Sequence, residues 1–262
     1  MKKIAIIGGG NLGTAIALGL LQSNFSTAAD ITVTKRNIQT LDAIKEKGIH
    51  ITADNIAAVG ANDVIILAIK PFQIKEILQG MKPHLTPNHI LISVVTGINI
   101  EEIKSIVGEE ITIFRAMPNT AIAIQESITC LSSTKASAAD KKYVEELFGK
   151  LGKIANIDEK LMNAATVLGA CGTAYAMRYI RANIQGGIEI GFDAATASLI
   201  AAQTVKGAAE LLLTTKTHPE QEIDKVTTPK GCTITGLNEM EHQGFSSAII
   251  KGIAASFDKI GK

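Results

Sequence analysis

The sequence predicts an α/β protein: an N-terminal doubly wound (Rossmann-like) parallel sheet domain followed by an all-α C-terminal domain. Up to about residue 158, short apolar runs alternate with amphipathic helical patterns. Strands that are apolar throughout are typical of a parallel sheet covered on both faces. From residue 159 onward the strand patterns stop, and long stretches rich in Ala and Gly indicate closely packed helices. We therefore expect domains at 1–158 and 159–262.

The elements of the first domain follow one another in a regular order. Apolar runs predict strands, and apolar residues at helical spacing predict the helices between them. The expected strands cover 4–7, 30–34, 63–69, 90–95, 111–115, 127–131 and 154–157. The expected helices cover 14–21, 38–47, 74–81, 100–107 and 138–151 and, in the second domain, 159–190, 193–215, 232–242 and 245–260.

A glycine-rich turn between the first strand and the first helix predicts a dinucleotide-binding site. Gly8, Gly10 and Gly13 have the spacing G-x-G-x-x-G directly after the strand. The first glycine permits the tight turn, the second lets the phosphates approach the backbone, and the third lets helix and strand pack closely. The helix N-terminus offers free N–H groups and a partial positive charge, so we expect Asn11 and Leu12 to contact the pyrophosphate.

The residues after the second strand favour NADP(H) as cofactor, with NAD(H) possible. NAD-binding enzymes usually place Asp or Glu about 20 residues beyond the glycines, where it binds the ribose 2′-hydroxyl. Thr34 stands there instead, and Lys35 and Arg36 follow it. An acid would repel a 2′-phosphate, whereas Arg36 can hold one through two parallel hydrogen bonds. The alternative is that both cations are ordinary solvated charges of a loop.

Further candidate residues lie in loops, several of them past the carboxyl ends of expected strands, where ligands bind in sheets of this kind. Ala68 and Lys70 close the strand that begins near residue 63, and Thr96 follows the next strand. Asn119 belongs to a Pro-Asn turn and offers an amide for a carboxamide or a ribose. Asn55 is another turn amide, near the expected adenosine end.

A cluster of hydroxyl groups precedes a helical pattern in the second domain. Residues 226–235 read Val-Thr-Thr-Pro-Lys-Gly-Cys-Thr-Ile-Thr. Exposed N–H groups and several hydroxyls at a helix start form a nest suited to a small carboxylate. The alternative is a well-capped helix without a ligand.

The amino-acid composition excludes some classes of binding partner and some cellular compartments. The net charge is +1, only 4% of residues are aromatic and Trp is absent, so neither nucleic acid nor an anionic membrane is expected. No apolar run is long enough to span a bilayer. The first strand begins at residue 4 and the three cysteines are scattered, so we expect a cytoplasmic protein without a structural metal.

Eight segments along the chain have the residues and the spacing of one enzyme family. They are 8–13, 69–71, 92–98, 117–120, 169–175, 203–208, 218–219 and 226–234. Through them the chain resembles the pyrroline-5-carboxylate reductases. The resemblance implies an oxidoreductase that uses NAD(P)H to reduce the cyclic imino acid L-1-pyrroline-5-carboxylate to L-proline, the last step of proline biosynthesis. It also implies a homodimer interlocked through the helical domain, often five dimers to a decamer, with each active site formed across the dimer.

The resemblance assigns roles to residues of both domains. Asn55, Lys70 and Asn119 fall on cofactor contacts of the family. The substrate-carboxylate loop then contains Val226, Thr228, Lys230, Gly231, Cys232 and Thr233. A cyclic imine accepts a proton readily, so catalysis needs mainly positioning and a polar pocket. We expect Thr233 to orient the imine nitrogen and Lys70 to hold cofactor or substrate, with proton donation by Lys70 left open.

The chain departs from the family pattern at several positions of these motifs. In the loop that usually reads Ser-Pro-Gly-Gly-Thr-Thr, Thr228, Lys230 and Cys232 replace the Ser, the first Gly and the first Thr. Thr173 replaces a proline of the family's Ser-Gly-Pro-Ala-Tyr motif, and Ala121 replaces the proline after Met-Pro-Asn-Thr. Lys230 either adds a charge that tightens carboxylate binding or narrows the pocket by its bulk.

Both the packing of the helical domain and the reaction of the protein have alternative interpretations. The Ala- and Leu-rich helices predict packing against another subunit, or else a self-contained cap. One alternative is an enzyme that reduces a related cyclic imine or a hydroxy acid, although hydroxy-acid enzymes of this architecture place a catalytic Lys where 162–176 has none. A non-catalytic NADP(H)-binding redox sensor is the alternative from another class.

Overall fold

The computed structural model describes residues 2–260 and contains two compact units. The first unit runs through Cys171, and the second covers Gly172–Lys259. No helix in the described range combines the length and the apolar character needed to cross a membrane.

The first unit is built on one eight-stranded sheet in the order β3-β2-β1-β4-β5-β6-β7-β8. The strands are β1 Ile4–Ile7, β2 Ile31–Thr34, β3 His50–Thr52, β4 Val64–Leu67, β5 Ile90–Ser93, β6 Thr112–Met117, β7 Ser127–Thr134 and β8 Gly152–Asn156. All neighbours pair in parallel except β6 and β7, which are antiparallel. The connection from β6 to β7 is a short turn at Thr120–Ile124, and a parallel return needs a longer crossover.

Helices cover both faces of this sheet, which confirms the doubly wound fold. They are α1 Asn11–Gln22, α2 Asp42–Lys45, α3 Asn55–Gly60, α4 Ile74–Met81, α5 Ile100–Val107, α6 Ala138–Gly149 and α7 Met162–Ala165. Every residue of β1 and β4 is buried, because these strands lie inside the sheet between two helical layers. One apolar core packs α1 and α6 against the sheet, and the other packs α3, α4 and α5 against the opposite face.

Several elements differ from the sequence prediction. The helix expected over 38–47 is a 3₁₀ turn at Ile38–Leu41 followed by the short α2, since Asn37 accepts a hydrogen bond from the Gln39 N–H and tightens the turn. β3 and α3 were not predicted, because each is too short for a clear period. The helix expected over 159–190 is broken by a π-helical turn at Thr166–Cys171.

The second unit contains helices only, as the sequence predicts. They are α8 Gly172–Glu189, α9 Ala194–Thr215, α10 Pro219–Lys225, α11 Cys232–His242 and α12 Phe245–Ile260. α8 and α9 approach closely where Gly187 faces Ala197, since a Cβ on the glycine would lie 3.1 Å from the alanine Cβ. The Tyr175 hydroxyl and the Ser256 hydroxyl, 2.6 Å apart, join α8 to α12.

The helices of the second unit bury few of their apolar side chains within one chain. Only Ala197 and Ala201 are fully buried in α9, and α8 and α12 contain no fully buried residue. Large apolar side chains remain exposed on these helices, namely Met177, Ile188, Leu199, Ile200, Leu211, Leu213, Ile249, Ile250 and Phe257. So much exposed apolar surface is typical of a protein–protein interface.

Candidate functional site

The glycine loop joins β1 to α1 in a conformation that requires its glycines. Gly8 has φ of +112°, and a Cβ there would lie 2.4 Å from the Ala68 carbonyl oxygen. A Cβ on Gly13 would lie 2.0 Å from the Gly8 carbonyl oxygen, so loop and helix touch backbone to backbone. The first and third glycines therefore have the structural roles that the sequence predicts.

Gly10 differs from both, because a Cβ built on it meets nothing within 4 Å. It is the N-cap of α1, and no side chain caps the helix there. The N–H groups of the first turn, which begins with Asn11 and Leu12, therefore lack a side-chain acceptor at the helix start. Open space next to these donors and the positive end of the helix fits a dinucleotide pyrophosphate.

The end of β2 holds the glycine loop in place through hydrogen bonds. The Gly8 N–H donates to the Thr34 carbonyl and hydroxyl oxygens at 3.2 and 3.3 Å, and the Gly9 N–H donates to the same carbonyl at 2.7 Å. Thr34 itself is only 2% exposed. Its hydroxyl is thus engaged in holding the loop, which gives it a positioning role next to the expected cofactor-binding residues.

Within the described residues, the two cationic side chains after β2, Lys35 and Arg36, form no ion pair. Lys35 is half-buried and its N–H donates to the Thr52 carbonyl at 3.0 Å, while Arg36 is exposed. The loop after the neighbouring strand β3 contains a carboxylate that was not predicted to matter, that of Asp54. It caps α3 by accepting from the Ile56 and Ala57 N–H groups at 2.9 and 3.0 Å. The guanidinium of Arg36 stays available for an anion.

The other expected cofactor residues lie at the same edge of the first unit. Ala68 follows β4 and its N–H donates to the Ile7 carbonyl at 2.8 Å. Lys70 is exposed, and its backbone N–H is bound by the Gln73 side chain at 3.3 Å. Thr96 is half-buried after β5, and Asn55 is half-buried at the start of α3. The parallel strands bring these four residues to one edge because they all follow carboxyl ends.

Asn119 is committed to hydrogen bonds within the first unit. Its side-chain oxygen accepts from the Ala121 N–H at 3.0 Å, and its side-chain nitrogen donates to the Gly169 carbonyl at 3.3 Å. It thereby joins the end of β6 to the π-helical turn, and such turns are frequent at functional sites.

A buried ion pair between Arg115 and Glu159 was not predicted. Arg115 on β6 is 4% exposed and donates through Nη1 to the Glu159 carboxylate at 3.2 Å. The same Oε1 atom accepts from the Ile100 N–H at 2.7 Å, at the first residue of α5. The sequence feature that could have indicated this ion pair is the charged residue within an apolar strand, because a buried charge requires a partner.

This ion pair lines a cavity of about 470 Å³ that Asp158 and Lys160 also line. The Lys160 ammonium lies 3.0 Å from the Asp158 carboxylate. The backbone N–H and ammonium of Lys160 both bind that carboxylate, and they lower the pKa of Asp158.

The hydroxyl-rich segment of the second unit forms a tight turn before α11. The Gly231 N–H donates to the Thr228 carbonyl at 2.9 Å, and Gly231 is the N-cap of α11 without a side-chain bond. Cys232 and Thr233 are the first two helical residues, and both are exposed. Val226 is 65% exposed after α10. The turn thus presents free N–H groups and hydroxyls together, as a carboxylate site requires.

Among residues 2–260, no three or more His, Cys, Asp or Glu side chains lie together so that they could hold a metal ion. The three cysteines are free thiols. Burial raises the pKa of the Cys130 thiol.

Two family models match the chain. The model described as pyrroline-5-carboxylate reductase dimerisation matches residues 159–262. The model described as NADP oxidoreductase, coenzyme F420-dependent, matches residues 3–97. The second half therefore contains a dimerisation domain.

Curated relatives match over the whole length of the chain. Pyrroline-5-carboxylate reductase 2 of Dictyostelium discoideum is 44% identical over 277 residues, which cover 100% of this chain and 93% of that protein. Pyrroline-5-carboxylate reductase 1 of the same organism is 48% identical over 268 residues and 98% of this chain. The chain spans about half the length of that second relative, 49%.

A solved structure has the same fold. It is the crystal structure of Plasmodium falciparum pyrroline carboxylate reductase with NADP bound. The TM-score is 0.89 at 28% sequence identity, over 99% of this chain and 97% of that one.

Proposed function

The chain belongs to the pyrroline-5-carboxylate reductase family, and we propose that it reduces L-1-pyrroline-5-carboxylate to L-proline with NADPH. The reaction consumes one hydride and one proton: the hydride adds to the carbon of the C=N bond and the proton to its nitrogen. The observation that carries the proposal is the match to the Dictyostelium reductase 2, which extends over 100% of this chain.

The first unit supplies the residues that would hold the dinucleotide. Gly10, Asn11 and Leu12 would bind the pyrophosphate at the N-terminus of α1, which has open space and no side-chain cap. Lys35 and Arg36 would bind the 2′-phosphate, which supports NADP(H) as the preferred cofactor over NAD(H). NADPH, when bound, supplies the hydride. The remaining expected contacts at this edge are those of Ala68, Lys70, Thr96 and Asn55, while Thr34 and Asn119 position the loops.

The second unit supplies the residues that would bind the substrate. The N–H groups at the start of α11 and the hydroxyl of Thr228 would bind the carboxylate, and the hydroxyl of Thr233 would orient the imine nitrogen. Each of these groups is exposed in the chain. A hydroxyl that accepts a hydrogen bond from a protonated imine favours the iminium, which is the better hydride acceptor. Lys70 lies at the cofactor edge, which suits it to holding the cofactor.

The oligomeric state and the compartment are further parts of the proposal. We propose a homodimer formed through the second unit, with decamers built from five dimers, and a cytoplasmic location. The apolar side chains exposed on α8, α9 and α12 support the dimer, because water is a costly environment for so much apolar surface. The balanced charge supports partners other than nucleic acid.

The test is NADPH oxidation, followed by absorbance, with pyrroline-5-carboxylate at neutral pH. Turnover with formation of proline is the expected result. Thr233→Ala should reduce turnover while the Kd for NADPH stays unchanged. Tight NADPH binding without turnover would favour a redox sensor, and turnover only with another cyclic imine or a hydroxy acid would reassign the substrate.

A further inference from the structure

In the proposed function, the loop after β5 lies on the nicotinamide side of the cofactor. The pyrophosphate is assigned to the end of β1 and the 2′-phosphate to the end of β2. Since the sheet continues from β1 in the other direction with β4 and β5, the nicotinamide half of the dinucleotide extends over the ends of these two strands. The loop at residues 94–99 follows β5 and contains Thr96, one of the expected cofactor contacts. Its placement therefore determines where the nicotinamide ring can lie.

The ion pair between Arg115 and Glu159 is attached to both ends of this loop. The loop begins after Ser93, the last residue of β5, which is the register partner of Arg115 on β6. It ends before Ile100, whose N–H donates to Oε1 of Glu159 at 2.7 Å. The same oxygen accepts from Nη1 of Arg115 at 3.2 Å. One carboxylate oxygen therefore joins the far end of the loop to the neighbouring strand.

Further contacts of the loop are local or apolar. The Asn99 side chain accepts from the Glu102 N–H at 2.8 Å and the Asn99 N–H donates to the Glu102 carboxylate at 2.8 Å, which joins the loop only to the helix that follows it. Ile98 packs against the apolar core that α5 covers, and such packing is not directional. Gly97 is exposed with φ of +78°, and a Cβ there meets nothing within 4 Å. The bond to Glu159 is therefore a directional contact between the end of the loop and another part of the first unit.

The ion pair by itself is a poor way to stabilise the fold. The side chain of Arg115 is 4% exposed and that of Glu159 is 24% exposed, so the guanidinium has lost its hydration. The buried Nη2 atom of Arg115 has no hydrogen-bond partner among residues 2–260. Apolar side chains of similar volume often stabilise a protein as well as a buried ion pair does. A charged pair with this cost is better suited to fixing one arrangement of the segments that it joins.

We propose that Glu159, held in place by Arg115, is a positioning residue for hydride transfer, because its bond to the Ile100 N–H fixes the loop that orients the nicotinamide ring. This inference rests on the proposed function, in which NADPH reduces the cyclic imine. Hydride transfer requires C4 of the nicotinamide to lie against the imine carbon, and a displacement of about 1 Å can slow such a reaction about 100-fold. Glu159 acts through the loop and not on the reacting atoms.

Two double variants that differ only in the acceptor at position 159 provide the test. Arg115→Met with Glu159→Leu replaces the ion pair by apolar side chains, which is often neutral for stability, and removes the acceptor for the Ile100 N–H. Arg115→Met with Glu159→Gln is the matched control, since it removes the same charges and keeps a side-chain oxygen for that N–H. Arg115→Met with Glu159→Ala is a second variant without the acceptor, for use if the first does not fold.

The measurement is the single-turnover rate constant for NADPH oxidation with saturating pyrroline-5-carboxylate. An unfolded fraction lowers the amplitude of this reaction, whereas a misplaced nicotinamide lowers its rate constant. The variants without the acceptor should lose about 10- to 100-fold in the rate constant, and the control should keep most of the wild-type value. The Kd for NADPH should be the same in all the double variants, because the phosphates bind at other loops.

Equal rate constants in the variants with and without the acceptor would overturn the inference. So would a loss that is confined to the amplitude, since it would show a purely structural role, or a difference that appears in the Kd alone. Failure of the wild type to oxidise NADPH with pyrroline-5-carboxylate would overturn the proposed function instead, so the two failures are distinguishable.

Discussion

Replacing Gly10 and Gly13 separately by alanine tests which glycine serves the ligand and which serves the fold. A Cβ on Gly10 meets nothing within 4 Å, so Gly10→Ala should leave the unliganded protein intact. A Cβ on Gly13 would lie 2.0 Å from the Gly8 carbonyl oxygen, so Gly13→Ala must push α1 and the loop apart. The two substitutions add the same methyl group to the same segment and differ only in what that group meets.

The expected magnitudes follow from these distances. In Gly13→Ala the backbone must shift by about 1 Å, and overpacking of this kind costs about 1–3 kcal/mol of the free energy of unfolding. In Gly10→Ala the added methyl occupies the space proposed for the pyrophosphate. Loss of one hydrogen bond to a charged group costs about 1.5–3 kcal/mol, which raises the Kd for NADPH roughly 10- to 150-fold.

The assay measures stability and binding on the same samples. Urea denaturation gives the free energy of unfolding without cofactor, and NADPH fluorescence gives the Kd with little background because the chain has no Trp. Gly10→Ala should change only the Kd, and Gly13→Ala should lower the stability. Wild-type NADPH affinity in a folded Gly10→Ala protein would refute the assignment of the pyrophosphate to this loop.

Three further substitutions test the charges. Arg36→Glu should weaken NADPH binding and leave NADH binding nearly unchanged in fluorescence titrations; equal losses would contradict the 2′-phosphate assignment. Glu159→Gln should keep the acceptor for the Ile100 N–H but leave a buried guanidinium without its counter-charge, lowering the free energy of unfolding in urea by about 1–3 kcal/mol; an unchanged midpoint would contradict this. Asp193 caps α9, and its side-chain bond with Thr196 and the backbone N–H groups there lower its pKa. Its stabilising effect should be complete above about pH 4 and disappear as the pH falls through the lowered pKa, so the Tm of Asp193→Asn should depend less on pH in this range.

Most of the first unit was predictable because its signals are local. Four consecutive apolar residues in β1 and again in β4 predict strands buried on both faces, and the structure confirms them. The glycine loop was equally clear, since two of its glycines, Gly8 and Gly13, are required by close contacts with backbone oxygens. A turn that excludes side chains requires glycine at the positions that form it, so the local sequence shows where the turn lies.

Features that depend on distant residues were not predictable from a local pattern. The antiparallel pairing of β7 depends on where a short connection returns the chain. The π-helical turn at Thr166–Cys171 interrupts a helical period that continues on either side, and Asn119 binds one of its carbonyls from 50 residues away. The π-helical turn thus makes a contact with a residue far away in the sequence, and a short stretch of sequence does not include both partners.

Two charged residues that break local rules differ in what accounts for them. Arg115 contradicts the apolar pattern of β6, and Glu159 pairs with its Nη1 atom from 44 residues away, while its buried Nη2 atom has no hydrogen-bond partner within the described residues. Lys230 has a positive φ of +61° directly before the N-cap of α11, and no described carboxylate pairs with it. The ion pair therefore makes Arg115 part of the fold, which Glu159→Gln tests, whereas a role of Lys230 in binding stays a prediction.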